Sequence, residues 1–394
     1  MLIVFTTITT QAQNKLLSSI GQYHDGNGGW QNGNGSNYEY DSNNNLTLET
    51  SLNWDNVTNS WTINDKNFYT YNASNKVTEN IYQTVNATSN QLENSFKQTF
   101  TYTNGRATTI INYDWVSSNW VASTKTDIVY NGNNFPQTAL TYIWKGTQWD
   151  NEYRETLTYN ANNRVTSDVT EKWDGTQWLN DTKTVYSYDA SNKTVNQKSA
   201  NWDVFNSLWV QDGNKTEYEW DATGNKTREV NYYTSTGITY QSKKEYTYDT
   251  SKLMSSFAHP FKDKTGFDYL FEDASFVNKA LGYDSYYYDA ATSSYISSDR
   301  TIYNYTSSIT LSIEKVEIAD KGITVYPNPT KDFLNIKTPS NATVDKITIT
   351  DLTGKKVLEQ NNSSQLNVSN LAKGMYVIEA VSGEEKFVSK FVKE

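Results

Sequence analysis

Between residues 38 and 308 the chain alternates apolar or aromatic with polar positions at a period of two, in runs of about ten residues broken by Asn, Asp, Gly and Ser clusters. A motif of aromatic (Ile128 and Leu157 in two copies), any residue, Tyr or Trp, then Asp or Asn (Thr103 in one copy) recurs at Tyr40, Tyr71, Tyr102, Tyr130, Tyr159, Tyr188, Trp220 and Tyr248, at intervals of 31, 31, 28, 29, 29, 32 and 28 residues. A second motif runs beside it. Trp115, Trp144, Trp173 and Trp202 are each 29 residues apart, with partners Trp120, Trp149, Trp178 and Trp209, and an earlier pair is Trp54 with Trp61. A fixed period of this kind is the mark of a stacked supersecondary unit.

The partner spacing reads as a hairpin. If Gly175-Thr176 is a two-residue loop of the Gly-X kind found in type II′ turns, Asp174 faces Gln177 and Trp173 faces Trp178. Trp144 and Trp149 flank Gly146-Thr147 in the same way, and Trp115 and Trp120 flank Ser117-Ser118. Pairing Val169 with Thr182 and Val165 with Tyr186 extends the register. It predicts one aromatic face, with Trp173, Val169, Val165, Trp178, Thr182, Thr184, Tyr186 and Tyr188. The other face is then polar, with Lys172, Thr170, Asp168, Thr166, Asp181, Lys183 and Ser187. About eight such units predict an all-β antiparallel hairpin meander of some sixteen strands, coiled or closed like a barrel so as to bury its aromatic face.

The pattern changes at both ends and once within. Leu2-Ile3-Val4-Phe5 opens a short apolar stretch and Thr10-Gln11-Ala12 supplies small residues, so 1–12 reads as a truncated export signal and 13–37 as a flexible Gly/Asn-rich lead. The repeat lapses over 251–283, where Asp268 to Leu281 suits a short helix or an elaborated loop; Tyr286 to Tyr305 reads as a last hairpin. Residues 309–322 read as a linker. From Ile323 to Glu394, six or seven short period-two strands predict a small β-sandwich.

Composition supports the β reading and removes several chemistries. The 30 Tyr, 12 Trp and 14 Phe supply core area that the aliphatic residues do not. Net charge is −10; nine Lys against eight acids make residues 323–394 +1, leaving the rest at −11, a poor match for nucleic acid. No apolar run reaches the roughly 20 residues of a spanning helix. Without cysteine there is no thiol or Cys-zinc site. His24 and His259 stand outside any metal or triad spacing, and no cofactor motif occurs. Asp25-Gly26-Asn27-Gly28-Gly29 lacks the ligand spacing of a calcium loop and reads as a flexible loop. Asp41, Asp189, Asp221 and Asp249 sit where an Asx-turn needs them. The Trp pairs could stack on sugars, though their regular cross-strand spacing points first to packing.

Two resemblances follow from these residues. Trp220-Asp221-Ala222-Thr223-Gly224-Asn225 and Tyr40-Asp41-Ser42-Asn43-Asn44-Asn45 resemble the tyrosine–aspartate (Rhs-like) repeats of secreted bacterial shell proteins, with a longer period and added Trp pairs. Tyr326-Pro327-Asn328-Pro329, then Asp351 and Gly354 in Ile349 to Lys355, then Gly374 and Tyr376 in Leu371 to Tyr376, then Lys386 and Lys390, resemble the type A C-terminal sorting domain of the type IX secretion system of Bacteroidetes. That resemblance implies engagement of the type IX machinery, export, and release from or attachment to the cell surface. The repeat body is then expected to be a noncatalytic binder of a surface glycan or protein. The alternatives are a hydrolase with a carboxylate pair, or a structural shell protein.

Overall fold

The computed structural model describes residues 14–265, 276–311, 323–338, 343–351, 355–382 and 385–394. The expected leader at 1–12, the stretch 312–322, part of the irregular region and Gly354 lie outside them. Two units divide at Leu311 and Ser312.

The first unit is nine hairpins: β1 (Ser18–His24) with β2 (Trp30–Tyr40), β3 (Leu46–Asp55) with β4 (Ser60–Tyr71), β5 (Val77–Val85) with β6 (Leu92–Thr103), β7 (Arg106–Val116) with β8 (Asn119–Tyr130), β9 (Pro136–Trp144) with β10 (Trp149–Tyr159), β11 (Val165–Trp173) with β12 (Trp178–Tyr188), β13 (Thr194–Asp203) with β14 (Leu208–Trp220), β15 (Lys226–Ser235) with β16 (Ile238–Leu253), and β17 (Asn278–Asp289) with β18 (Ser294–Asn304). Each strand pairs antiparallel with its neighbours in sequence, and β1 pairs with both β2 and β18, so the 18-stranded sheet is a closed barrel. Closure removes the free edges an open meander would leave.

The lead expected at 13–37 is therefore corrected: most of it is β1 and the first half of β2, the strands that close the ring. Its glycines hid them. Gly21 lies so close to Asn34 that a Cβ would fall 2.2 Å from the Asn34 Oδ1, and Gly33 is the extra residue of a bulge. Of the expected linker 309–322, residues 309–311 belong to the barrel: Ile309 is buried on it with Leu311 beside it.

Both kinds of turn follow from local chemistry. At one end Asp41 Oδ1 accepts from the Asn43 and Asn45 amides, and Asn72, Asn131, Asn160, Asp189 and Asp221 repeat this Asx arrangement. The fourth loop residue has φ near +60°, which explains Asn44, Asn75, Asn134, Asn163 and Asn192 there. At the other end Gly175 (φ 104°) and Gly146 (φ 86°) take the positive-φ corner, while Ser117 and Ser118 both do.

The irregular stretch is a chord. β16 runs on to Leu253, a 3₁₀ turn spans Met254–Ser256, and β17 starts at Asn278. Between them the Leu16 amide donates to the Ala258 carbonyl, Phe261 lies 5.4 Å from the Tyr303 ring, and the Val77 amide donates to the Lys264 carbonyl. The chain thus passes from β16 to the start of β5 across the barrel end. Side chains meeting it face the lumen: Tyr38, Tyr40, Tyr69, Tyr303 and Tyr305 gather there with Leu16 and Leu46.

The second unit has a sheet of β19 (Thr324–Tyr326), β20 (Phe333–Lys337) and β23 (Gln365–Asn367), and a sheet of β22 (Lys356–Asn361), β21 (Lys346–Asp351), β24 (Gly374–Ser382) and β25 (Glu385–Lys393). Leu334, Ile336, Ile347, Ile349, Leu366, Ile378 and Phe391 form the core between them. This is the expected small sandwich.

Candidate functional site: a fingered rim and a sorting domain

The lumen wall at the chord end is built from the repeated anchor. The hydroxyl of Tyr40, Tyr71, Tyr102, Tyr130, Tyr159, Tyr188, Tyr248 or Tyr305, or the indole N–H of Trp220, donates to a carbonyl at or near the start of its own hairpin. The lengths for Tyr102 and Tyr188 are both 2.6 Å. Burial pushes the phenol of Tyr38 up to about 12 and those of Tyr40, Tyr246 and Tyr303 higher still, so these rings stay neutral donors.

The tryptophans face the other way. Trp173 opposes Trp178, Trp144 opposes Trp149, Trp115 opposes Trp120 and Trp202 opposes Trp209, with ring centroids 4.7–5.1 Å apart and steeply tilted planes. Below Trp202 and Trp209 the break is wider, Asp212, Gly213 and Asn214 of β14 standing against Ser199 of β13; below the other three pairs one extra residue interrupts the second strand: Asp181 in β12, Glu152 in β10, Ser123 in β8. Beyond it the alternation inverts, so the Trp pairs lie outside and the anchors inside. The register expected from sequence is corrected accordingly. Thr170, not Val169, opposes Thr182, and Val169 opposes Lys183. Asp168 and Thr184 share the lumen face with Tyr186; Val169, Lys183 and the exposed Val185 share the outer one.

On that outer face a cation five residues before most anchors packs on an aromatic ring of the next hairpin. Lys97 lies 5.2 Å from the Trp120 ring, Arg154 5.1 Å from Trp178, Lys243 4.5 Å from Tyr295, and Arg300 4.4 Å from Trp30 across the closing seam. Arg154 also grips Glu171 through two N–H···O bonds. Sequence reading missed this belt, although the recurrent Lys or Arg at anchor minus five was visible.

Pairing between hairpins stops at the extra residue. The last pairs are Thr124 with Ile143, Tyr153 with Lys172, and Thr182 with Asn201. Above them each hairpin pairs only with itself, so the Trp end is a rim of two-stranded fingers. Between two of them a cavity of about 550 Å³ is lined by Trp149, Trp173, Asp150, Glu152, Lys145 and Lys172, among others. The volume is that of a small-ligand site. Among the described residues before 312, 18 large apolar or aromatic side chains are exposed, and all but Val129, Val185, Leu253 and Leu281 lie in the finger half of their hairpins. Phe205 at one tip is fully exposed and Val57 at another is 90% exposed.

The carboxyl groups divide between turns and lumen. Asp41 and Asp221 are turn residues, whereas Asp249, expected in a turn, lies within β16 opposite Lys279 because that strand runs on to Leu253; Thr223 and Asn225 hold Asp221 down to about 2 against the opposing effect of desolvation. Asp168 is the exception among the acids expected at the surface. It lies on the lumen face, and burial, with the charge of the nearby Glu155 carboxylate, pushes it up to about 8. His259 sits in the chord, where burial and the Lys262 and Lys264 charges lower it to about 4. Among the described residues no group of acids and histidines is arranged to hold a metal.

In the sandwich the sorting motifs meet around β25. Asn328 accepts from the Val392 amide and donates to the Lys390 carbonyl, tying the Tyr326-Pro327-Asn328-Pro329 turn to the last strand. Tyr376 is buried, stacks 5.6 Å from Phe391 and donates to the Ala372 carbonyl. Gly374 opposes Lys393, and Asp351 accepts from the Lys355 amide. Tyr326, Phe333, Met375 and Val392 stay exposed.

Residues 324–394 match the family described as the secretion system C-terminal sorting domain. The tail is thus a type IX sorting domain, which implies export to a secreted or cell-surface location. No curated protein matches the chain. Among solved structures, a porin-like protein from Bacteroides uniformis is 12% identical, with 75% of this chain and 97% of that chain covered and a TM-score of 0.35. A DUF3836 family protein from Parabacteroides distasonis is 19% identical over 22% of this chain and 83% of its own, TM-score 0.19. A TcdB2–TccC3 structure is 9% identical over 86% of this chain and 20% of its own, TM-score 0.23. The hairpin-repeat barrel fits the resemblance to tyrosine–aspartate repeats; at these scores the likenesses say nothing of function.

Proposed function

We propose that this protein is exported through the type IX system and works outside the cell as a noncatalytic binding or adhesion barrel that takes its ligand at the fingered rim. The observation carrying this is the concentration of exposed apolar side chains at one end of the barrel while the other end is crossed by the chord. An apolar rim of this extent marks a contact surface. The cleft with Trp149 and Trp173 beside Asp150, Glu152 and two lysines supplies stacking faces and hydrogen-bonding groups together, as a glycan or a polar protein segment requires. A hydrolase reading is weaker. Asp168, the acid whose carboxyl is pushed well up, faces the lumen opposite Thr184, below the fingers and away from the residues that line the rim cleft.

The test is binding of the full chain to immobilised polysaccharides and extracellular-matrix proteins. Trp149→Ala with Trp173→Ala should weaken binding at least tenfold with the circular dichroism spectrum unchanged. Turnover of a glycan or peptide abolished by one Asp or Glu substitution would overturn the noncatalytic reading. Export is tested separately: residues 323–394 fused to a periplasmic reporter should reach the surface of a type IX-competent host, and retention where a known sorting tail succeeds would reject that role.

A further inference from the structure

The outer cation belt has one gap, and the chain fills it with its own exit segment. Five residues before the anchors stand Lys66, Lys97, Lys125, Arg154, Lys183, Lys215, Lys243 and Arg300, but in the first hairpin the position is Gly35. A Cβ there would lie 2.5 Å from Ile309 Cδ1 and 3.4 Å from the Trp61 ring. Ile309 therefore occupies the place where a cation's stem would run, and covers Trp61 as Lys97 covers Trp120. Both Trp61 and Ile309 are only 8% exposed, with Leu52, Ile20, Ile63 and Leu311 around them.

The backbone of this segment is also read. Asn37 donates to the Ile309 carbonyl at 2.9 Å and accepts from the Ile309 amide at 2.7 Å, so its side-chain amide acts as a short piece of strand edge. Ser18 Oγ donates to the Ser307 carbonyl at 2.9 Å. The other anchors carry no Asn three residues before them, so Gly35 and Asn37 are particular to this hairpin. Backbone capture with alternate side chains in pockets is how extended peptides are held at sheet edges; here the Asn37 and Ser18 side chains supply the backbone contacts instead.

We propose that Gly35, Asn37, Ser18 and Trp61 form a binding seat for an extended, uncharged peptide with aliphatic side chains two residues apart, occupied in cis by residues 307–311. The segment acts as a strap: it fixes where the chain leaves the barrel and closes the seat to competing peptides of the same chemistry. The prediction extends to trans binding, since a seat built for one strap accepts an identical one when the first is released.

The experiment uses the full chain and a fluorescein-labelled peptide of residues 306–312, read by anisotropy. Wild type should bind no peptide. Ile309→Asp, which expels the strap, should bind it saturably, and adding Gly35→Val should lower the affinity at least tenfold. A folded Ile309→Asp chain that binds no peptide, or binding indifferent to Gly35→Val, overturns the proposal. If Ile309→Asp does not fold, hydrogen exchange on wild type and Asn37→Ala decides instead. The Ile309 amide should be protected in wild type and exchange at least tenfold faster in the variant, with strand amides unchanged; equal exchange rejects the seat.

Discussion

Trp178 and Tyr186 stand eight residues apart on β12 yet project from opposite faces of the sheet, because Asp181 is an extra residue between them. In an uninterrupted strand an even separation keeps two side chains on one face. One inserted residue inverts that parity. Asn64, Ser95, Ser123, Glu152 and Ser298 do the same in their hairpins. The hairpin of β15 and β16 has no extra residue, and there Tyr233 and Tyr240 share the lumen side with Tyr246. Their rings sit 6.4 Å apart at only 30°, unlike the steep Trp pairs.

Deleting Asp181 should therefore destabilise the barrel far more than Asp181→Ala. The exposed carboxylate contributes within about 0.5 kcal/mol, whereas deletion drives Trp178 towards the lumen or unpairs β12 from β13. Thermal unfolding of the two variants side by side checks this; equal melting temperatures would sink the parity argument.

Tyr188→Phe removes the hydroxyl that donates to the Val165 carbonyl. The ring stays and the carbonyl loses a partner, so the expected cost is about 1 kcal/mol. Denaturant titration should show a lower midpoint with an unchanged slope.

Asp168 gives a pH signature. Its folded-state pKa is raised to about 8 from an ordinary 3.8. The folded protein thus holds a proton that the unfolded chain releases between those values, and this group's contribution falls as pH rises through that window. Asp168→Asn should raise the melting temperature at pH 8 and change it little at pH 4. A shift of equal size at both pH values would contradict the raised carboxyl on the lumen face.

His259 works in the opposite sense to Asp168 on the acid side. Its pKa is lowered to about 4 from 6.5, so burial of the neutral ring is fully compatible with folding above pH 6.5 and opposes it as pH falls towards 4. His259→Gln should lessen the loss of stability between pH 6.5 and 4, measured by thermal melts across that range.

Lys97→Met keeps the stem and removes the charge over Tyr113 and Trp120. The expected loss is about 0.5–1 kcal/mol, and it should persist at high salt because the attraction acts at contact. An unchanged midpoint would mean that the belt is held by stem packing alone.

What the sequence determined is whatever depends on neighbours within one hairpin. The Gly146-Thr147 and Gly175-Thr176 corners set Trp144 against Trp149 and Trp173 against Trp178, because a two-residue loop leaves one register. The Asx residues after Tyr40, Tyr71, Tyr130, Tyr159, Tyr188 and Trp220 specify the other turn, and the motif run from Tyr326 to Tyr376 marks the sorting domain by residue order and spacing alone. Only the tertiary structure decided the faces, the ring and the rim. An extra residue such as Asp181 has no composition of its own; it exists only relative to the strand opposite, so a strict period-two reading placed Asp168 outside and the Trp pairs inside. Closure likewise joins β1 to β18, Ser18 to Asn304, contacts nearly the whole barrel apart in sequence. The Gly-rich lead concealed β1 and β2 because close backbone approach, not side-chain pattern, makes those strands. Gly35 reads as loop composition in the chain, and becomes a seat only when closure brings Ile309, just past the last strand of the ring, across it.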